Sequence, residues 1–227
     1  MTMYDLYLAE QIAERVELLL DDVLPVARDK GRECSFLLAC STLLLCQTND
    51  RVFRQSESTQ HAPPLNDGFK AACELKFSEG WEQPGHLLYV LRKECKWQWK
   101  RRLVVEEAHA SRGPEEALGS AEPNAAKDML VGTFFKHLRN GLAHGGVWWG
   151  YEPLKFGART VKSSPSSQEI RLVFVRSLQE GKKPNELWQA SGFSIAGLEL
   201  TLRWWCALLK QHKTSVVDAS GYLDKVA

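Results

Sequence analysis

The chain has almost no net charge, no long apolar run and no paired-cysteine spacing, and each absence removes a class of function. Its net charge is +1 over 227 residues. No global field therefore draws nucleic acid to it, and any RNA affinity must come from a local patch. No stretch reaches the roughly 18 uncharged apolar residues that span a bilayer. The nearest, Ser35 to Cys46, is too short and reads as a buried helix. The opening Met1-Thr2-Met3-Tyr4-Asp5 lacks the basic and apolar regions of a secretory leader, so a cytoplasmic location with no membrane partner is expected. Cys34, Cys40 and Cys46 recur every six residues, so on a helix they drift by about 240° per step. With Cys73, Cys95 and Cys206 they form no Cys-x-x-Cys pair, and no histidine stands at finger spacing. Free thiols are expected, and no metal site. The phosphate loop Gly-x-x-x-x-Gly-Lys-Ser/Thr and the nucleophile turn Gly-x-Ser-x-Gly are both missing, so no cofactor is expected. Glu106-Glu107 has no carboxylate partner at glycosidase spacing.

What is present describes a globular protein. Hydrophobic residues make up 44% and charged residues 25% of the chain, ordinary values for a domain that buries a core. Residues 5 to 29 carry an apolar stripe at helical spacing, from Leu6 through Ile12, Val16 and Leu20. Residues 33 to 55 predict a second helix, apolar nearly all round from Phe36 to Cys46. A loop follows at His61 to Gly68, then a short helix from Phe69 to Ser78 and a longer one from about Gly85 to Ala108. Residues 111–124 are rich in Ser, Gly, Pro, Ala and Glu and read as a flexible connection. Helical periodicity resumes at Ala125 and runs through Phe134, Phe135 and Leu138. After Gly146 the texture turns to strand, with Val147 to Trp149, Leu154 to Phe156 and Ile170 to Val175, and a turn at Ser163 to Ser167. Ser194 caps a final helix over 194–212. The expectation is a single, mainly all-α domain over residues 1–227: five to six helices with a small β-hairpin inserted at 147–176.

The densest chemistry lies in Phe134-Phe135-Lys136-His137-Leu138-Arg139-Asn140-Gly141-Leu142-Ala143-His144-Gly145-Gly146. Arginine holds phosphate with a fork of donors, an amide orients a substrate group, and histidine moves protons near neutral pH. Together these side chains suffice to cleave RNA without a metal. On a continuous helix Arg139 and His144 stand about 140° apart with a rise of about 7.5 Å. Two arrangements cure that separation. The helix can end at the motif so that His144 turns back, or two copies can face each other across a dimer axis. Gly145-Gly146 have the look of a helix C-cap. Gly141 costs a helix about 1 kcal/mol relative to alanine, which points to a close backbone approach. Read without its context, the same string is a helix ending with a favourable cation.

The string Arg-Asn-Gly-Leu-Ala-His-Gly resembles the Arg-polar-x-x-x-His motif of the HEPN superfamily (higher eukaryotes and prokaryotes nucleotide-binding domains), with Gly141 where many members carry alanine. The resemblance is sharpest over Asp128 to Gly146. It implies a HEPN-like helical bundle and a metal-independent endoribonuclease whose site forms across a homodimer, with Arg139, Asn140 and His144 as the catalytic positions. The implied reaction is attack of a ribose 2′-hydroxyl on the adjacent phosphate, leaving a 2′,3′-cyclic phosphate. Members of the superfamily include toxins, antiviral effectors and RNA-processing factors, so an antitoxin or regulatory partner is a corollary. Others keep the fold as non-catalytic modules that bind RNA or protein, which is the alternative here.

A second basic stretch runs from Arg92 to Arg102 and interleaves cations with Trp97 and Trp99. Read as a helix, it puts Lys93, Lys96 and Lys100 on one face, with Arg101 beside them, as a phosphate track with stacking platforms. Read blandly, it is a solvated face with a tryptophan in the core. Lys136, three residues before Arg139, extends the motif's phosphate site, whereas His137 falls off that face and is expected to be structural. Trp148 and Trp149 fit hairpin packing better than base stacking, and Trp204-Trp205 fit the core or a dimer surface.

Overall fold

The computed structural model describes residues 4–48, 67–95, 97–103, 118, 126–144, 146–149, 170–177 and 188–210. The long N-terminal pattern forms α1 (Tyr4–Asp22) and a separate α2 (Leu24–Asp29). Pro25 sits in the first turn of α2, where its missing N–H costs nothing but where it cannot continue α1. Ala13, Val16, Leu20 and Leu24 are buried at helical spacing, while Glu14 and Arg15 face out. The end of α2 is a Schellman closure: Arg32 N–H bonds Ala27 O at 2.7 Å and Gly31 N–H bonds Arg28 O at 2.8 Å. Gly31 takes φ 64°, a value that favours glycine.

Next comes α3 (Glu33–Ser41), which opens into a π turn at Thr42–Cys46. The expected continuation to residue 55 lies outside the described residues beyond Thr48. The short helix expected at Phe69 to Ser78 is two pieces, α4 (Asp67–Glu74) and α5 (Phe77–Trp81). They break where Phe77 N–H bonds Met129 O and Val131 N–H bonds Leu75 O.

The long helix expected from Gly85 to Ala108 is not formed. The chain makes α6 (Leu87–Lys93) and then a strand, β1 (Gln98–Leu103). The reason lies in the period. Trp97 and Trp99 are both buried and Gln98 and Lys100 are only half-buried, a two-residue alternation that suits a sheet with one covered face. Trp97 then donates its indole N–H to Ser191 Oγ at 2.8 Å, which a helix there would forfeit.

The motif helix is α7 (Val131–Ala143), followed by β2 (Val147–Trp149), β3 (Ile170–Ser177), β4 (Trp188–Ser194) and α8 (Ile195–Lys210). β2 and β3 pair antiparallel as expected, with Trp148 opposite Val173. They belong to a larger unit, however: a four-stranded antiparallel sheet of order β1-β4-β3-β2. The segment of β4, Trp-Gln-Ala-Ser-Gly-Phe-Ser, carries no β-branched residue, so propensity hides a strand that is central by pairing. The strand expected at Leu154 to Phe156, the turn at Ser163 to Ser167 and nearly all of 111–124 lie outside the described residues. Within 111–124, Leu118 is described and is fully buried. Among the described residues the protein is mainly helical with one small antiparallel sheet, and no described helix is long and apolar enough to cross a membrane.

Ser194 caps α8 as its position predicts. Its hydroxyl accepts Gly197 N–H at 3.1 Å and donates to Cys95 O at 2.9 Å, tying the helix start to the loop before β1. From there α8 is buried nearly all round, which marks it as the central helix. Trp204 and Trp205 both stack on Phe135 of α7, at 5.9 and 4.0 Å between ring centres. They are core residues, and Trp205 Nε1 also finds Thr48 Oγ1 at 3.2 Å.

Burial of α8 includes charge. Glu199 accepts from Arg203 Nε at 2.9 Å and from Arg28 of α2. Arg203 Nη1 meets Asp21 of α1 at 2.7 Å, and Nη2 donates to Leu20 O. Burial disfavours the Arg203 cation, but its hydrogen bonds to Asp21 and Glu199 outweigh that and raise its pKa. No disulfide forms among the described residues, and burial pushes Cys40 and Cys95 up to about 11.

Candidate functional site

α7 is gripped on most of its circumference. Phe134, Phe135 and Leu138 are fully buried, and Gly132, His137 and Gly141 are buried beside them. His137 makes a hydrogen bond through Nε2 with Phe174 O of β3 at 3.2 Å and lies edge-on to Trp99 at 5.0 Å. It is structural, as its place off the Arg139 face predicts.

One stripe of the helix is left to solvent. Thr133, Lys136 and Ala143 are exposed, Arg139 and Asn140 are half-buried, and His144 is exposed at the C-cap. Thr133, Lys136 and Asn140 follow at i, i+3 and i+7, the spacing of a single face. Thr133 went unnoticed in the sequence because a lone threonine carries no chemical signature. Its register three residues before Lys136 was the available signal.

The helix ends at the motif. His144 N–H bonds Asn140 O at 3.1 Å, and Gly146 N–H bonds Gly141 O at 2.7 Å, the six-to-one bond of a Schellman closure. His144 adopts φ −106° and ψ 12°, outside helical values, so its side chain is presented by a helix end and not by a continuing turn. The helix therefore ends at the motif, as the glycine pair after it predicts. Gly141 serves the closure as its acceptor while lying buried.

Arg139 and Asn140 are joined directly: Nη1 donates to Asn140 Oδ1 at 2.8 Å. Such a bond with a charged donor is stronger than a neutral one. One exposed helix end therefore holds a guanidinium, an amide and an imidazole, the amide touching the guanidinium and the imidazole following at the cap.

The second basic stretch is distributed differently. Lys93 closes α6 and is exposed, while Lys100 and Arg101 sit on β1, so the common helical face expected for Lys93, Lys96 and Lys100 does not exist. Lys96 lies outside the described residues. β1 and β2 are opposite edges of the sheet, which at about 4.8 Å per strand sets Lys100 about 14 Å from the strand that follows the motif. Arg92 stands over the Trp81 ring at 4.3 Å, a cation–π contact. Trp97 and Trp99 are core, not stacking platforms. Among the described residues no group of three or more His, Cys, Asp or Glu could hold a metal ion.

Compared with known proteins, the chain matches no family model, no curated protein and no solved structure.

Proposed function

We propose that this protein is a metal-independent endoribonuclease of the HEPN type, acting as a homodimer. The observation that carries the proposal is the joint presentation of Arg139, Asn140 and His144 at the solvent-facing end of an otherwise buried helix. Core packing holds the helix backbone beneath these groups, which favours a site built on a rigid element. In the proposed step the substrate 2′-oxygen forms a bond to the adjacent phosphorus while the bond to the 5′-oxygen breaks. His144 takes the 2′-hydroxyl proton as general base or protonates the departing 5′-oxygen as general acid. Arg139 faces the charge that builds on the phosphorane oxygens. A two-fold axis beside α7 would bring both Arg–His sets to one cleft. Lys136 and Thr133 extend the site along the same stripe, and the sequence segment that carries Lys93, Lys96, Lys100 and Arg101 is proposed as a separate basic contact for RNA. A toxin or antiviral role with a regulatory partner follows from the motif resemblance alone.

The test is incubation of the purified protein with structured and single-stranded RNA in EDTA. Fragments with 2′,3′-cyclic phosphate ends are expected, and DNA, which lacks the nucleophile, is expected to stay intact. His144→Ala is expected to lower the rate by about 10²–10⁴-fold. A wild-type rate in that variant would overturn the catalytic assignment. RNA binding without cleavage would establish the non-catalytic module instead. Light scattering at micromolar concentration decides the dimer.

A further inference from the structure

The geometry points to an RNA contact outside the motif: the Arg92 guanidinium, resting over the Trp81 ring, takes a backbone phosphate on its donors and a base on its outer face. Arg92 lies in the last turn of α6 and is exposed, with Cζ 4.3 Å from the centre of the Trp81 ring. An indole ring offers no acceptor atom, so this contact leaves the five donors of the fork unused. Among the described residues no carboxylate pairs with Arg92. Arg28 and Arg203, by contrast, end on Glu199 and Asp21. Lys93, the next residue, is exposed as well and adds a second positive charge at the same helix end.

The chain builds this shelf locally. α5 and α6 close on one another across Gly80, where a Cβ would stand 2.6 Å from His86 Nδ1 and 2.8 Å from Leu88 Cδ1. Trp81 follows Gly80 directly, and Arg92 follows Leu88 by one turn, which brings the cation over the ring. Trp81 is 7% exposed and stands edge-on to Phe77 at 6.3 Å, and Phe77 stands edge-on to Phe134 of α7 at 5.2 Å. The shelf and the motif helix thus share one packed core. Trp81 Nε1 is buried without an acceptor, a cost that phenylalanine would avoid. Indole holds a cation more strongly than the other aromatic rings, so the arginine above it accounts for the stranded donor. Two features of a guanidinium held this way suit RNA. Its flat fork matches the paired oxygens of a phosphate. Its face away from the ring takes an unstacked base, as arginine planes do in single-stranded RNA. An acidic peptide would use the first feature and leave the second idle. An arginine already resting on a ring also has less freedom to lose on binding.

The kinetic consequence rests on the ribonuclease proposal, whereas the contact itself does not. Fluorescence anisotropy measures binding of a labelled single-stranded RNA of about 16 nucleotides, its 2′-hydroxyls methylated so that it cannot be cut. Arg92→Ala is expected to bind about tenfold more weakly. It should also lower the slope of log affinity against log salt by about 0.7, the share of one phosphate on a single strand. Arg92→Lys should keep that slope, because the charge remains, yet bind at least about threefold more weakly, because the flat face is lost. Trp81→Phe keeps a weaker shelf and should fall between wild type and Arg92→Ala. Wild-type affinity in Arg92→Ala would overturn the inference, as would an Arg92→Lys variant indistinguishable from wild type or a wild-type protein that binds no RNA. On cleavable RNA in EDTA, Arg92→Ala is expected to raise KM with kcat unchanged. Binding that depends on Arg92 in a protein that cuts nothing would leave this contact standing and remove the ribonuclease proposal. Cleavage with a KM indifferent to Arg92→Ala would do the reverse.

Discussion

Replacing Glu199 with leucine removes a buried carboxylate that Arg28 and Arg203 share. Its side chain is 1% exposed, and that of its partner Arg203 is 5% exposed. Breaking a buried pair by deleting one member costs about 3–5 kcal/mol, because the surviving charge stays out of water. Two features move the expectation to the lower end. Arg203 keeps Asp21 at 2.7 Å and Leu20 O at 3.2 Å, and Arg28, about a third exposed, can turn to solvent. We expect a loss of about 3 kcal/mol, equivalent to a melting temperature lower by about 6–12 °C for a chain of this size. Urea and thermal unfolding followed by tryptophan fluorescence measure it, since Trp204 and Trp205 lie in the core on the same helix. Adding Arg203→Leu is expected to restore most of the loss, because an apolar pair replaces the stranded cation. If Glu199→Leu costs less than about 1 kcal/mol, the network does not bear on the α1–α8 contact as argued. A double variant less stable than the single would refute the stranded-charge reasoning itself.

Two further outcomes are expected. Arg139→Lys should cleave RNA at least about 10²-fold more slowly, since a point charge cannot reproduce the planar fork; a rate within threefold of wild type would show that charge alone suffices. His86, whose Nδ1 accepts Leu88 N–H at 3.2 Å to cap α6, is held below its ordinary pKa by burial. Its folded-state pKa is depressed, so its contribution is complete above the unfolded value of about 6.5 and is lost as pH falls through the folded value. Melting temperature should therefore decline below pH 6.5, and less steeply in His86→Asn, which keeps a capping acceptor without the titration. Parallel pH profiles for the two proteins would remove His86 from that account.

Several features were legible in the residues alone because their causes are local. Ser194 before an apolar period starts α8, and α7 stops in a backbone closure from Gly146 N–H to Gly141 O. The candidate site was legible in the same way. Arg139, Asn140 and His144 lie within six residues, so where they stand relative to one another follows from one helix and its end. The placement of His137 in the core also follows from its angle on that helix.

What needed the tertiary structure was whatever depends on partners distant in sequence. The stretch around Trp97 and Trp99 satisfies both a helical and a two-residue period, and the pairing of Lys100 with Ala190, ninety residues away, decides for the strand. β4 carries no β-branched residue and is held as a strand by β1 and β3 on its two sides. Glu199 and Arg203 stand four residues apart on one helix, a spacing that by itself says nothing of burial. Only the packing of α1 and α2 against α8 makes them a buried network. The same holds for the contact between Arg139 and Asn140. Helical geometry argues against neighbours meeting, and burial of the rest of α7 leaves these two side chains on a confined strip where they do. Local signals set where elements begin, end and carry charge, because a few bonds within one turn determine them. Pairing and burial are set by the whole chain, because their free energy comes from surfaces that meet only when it folds.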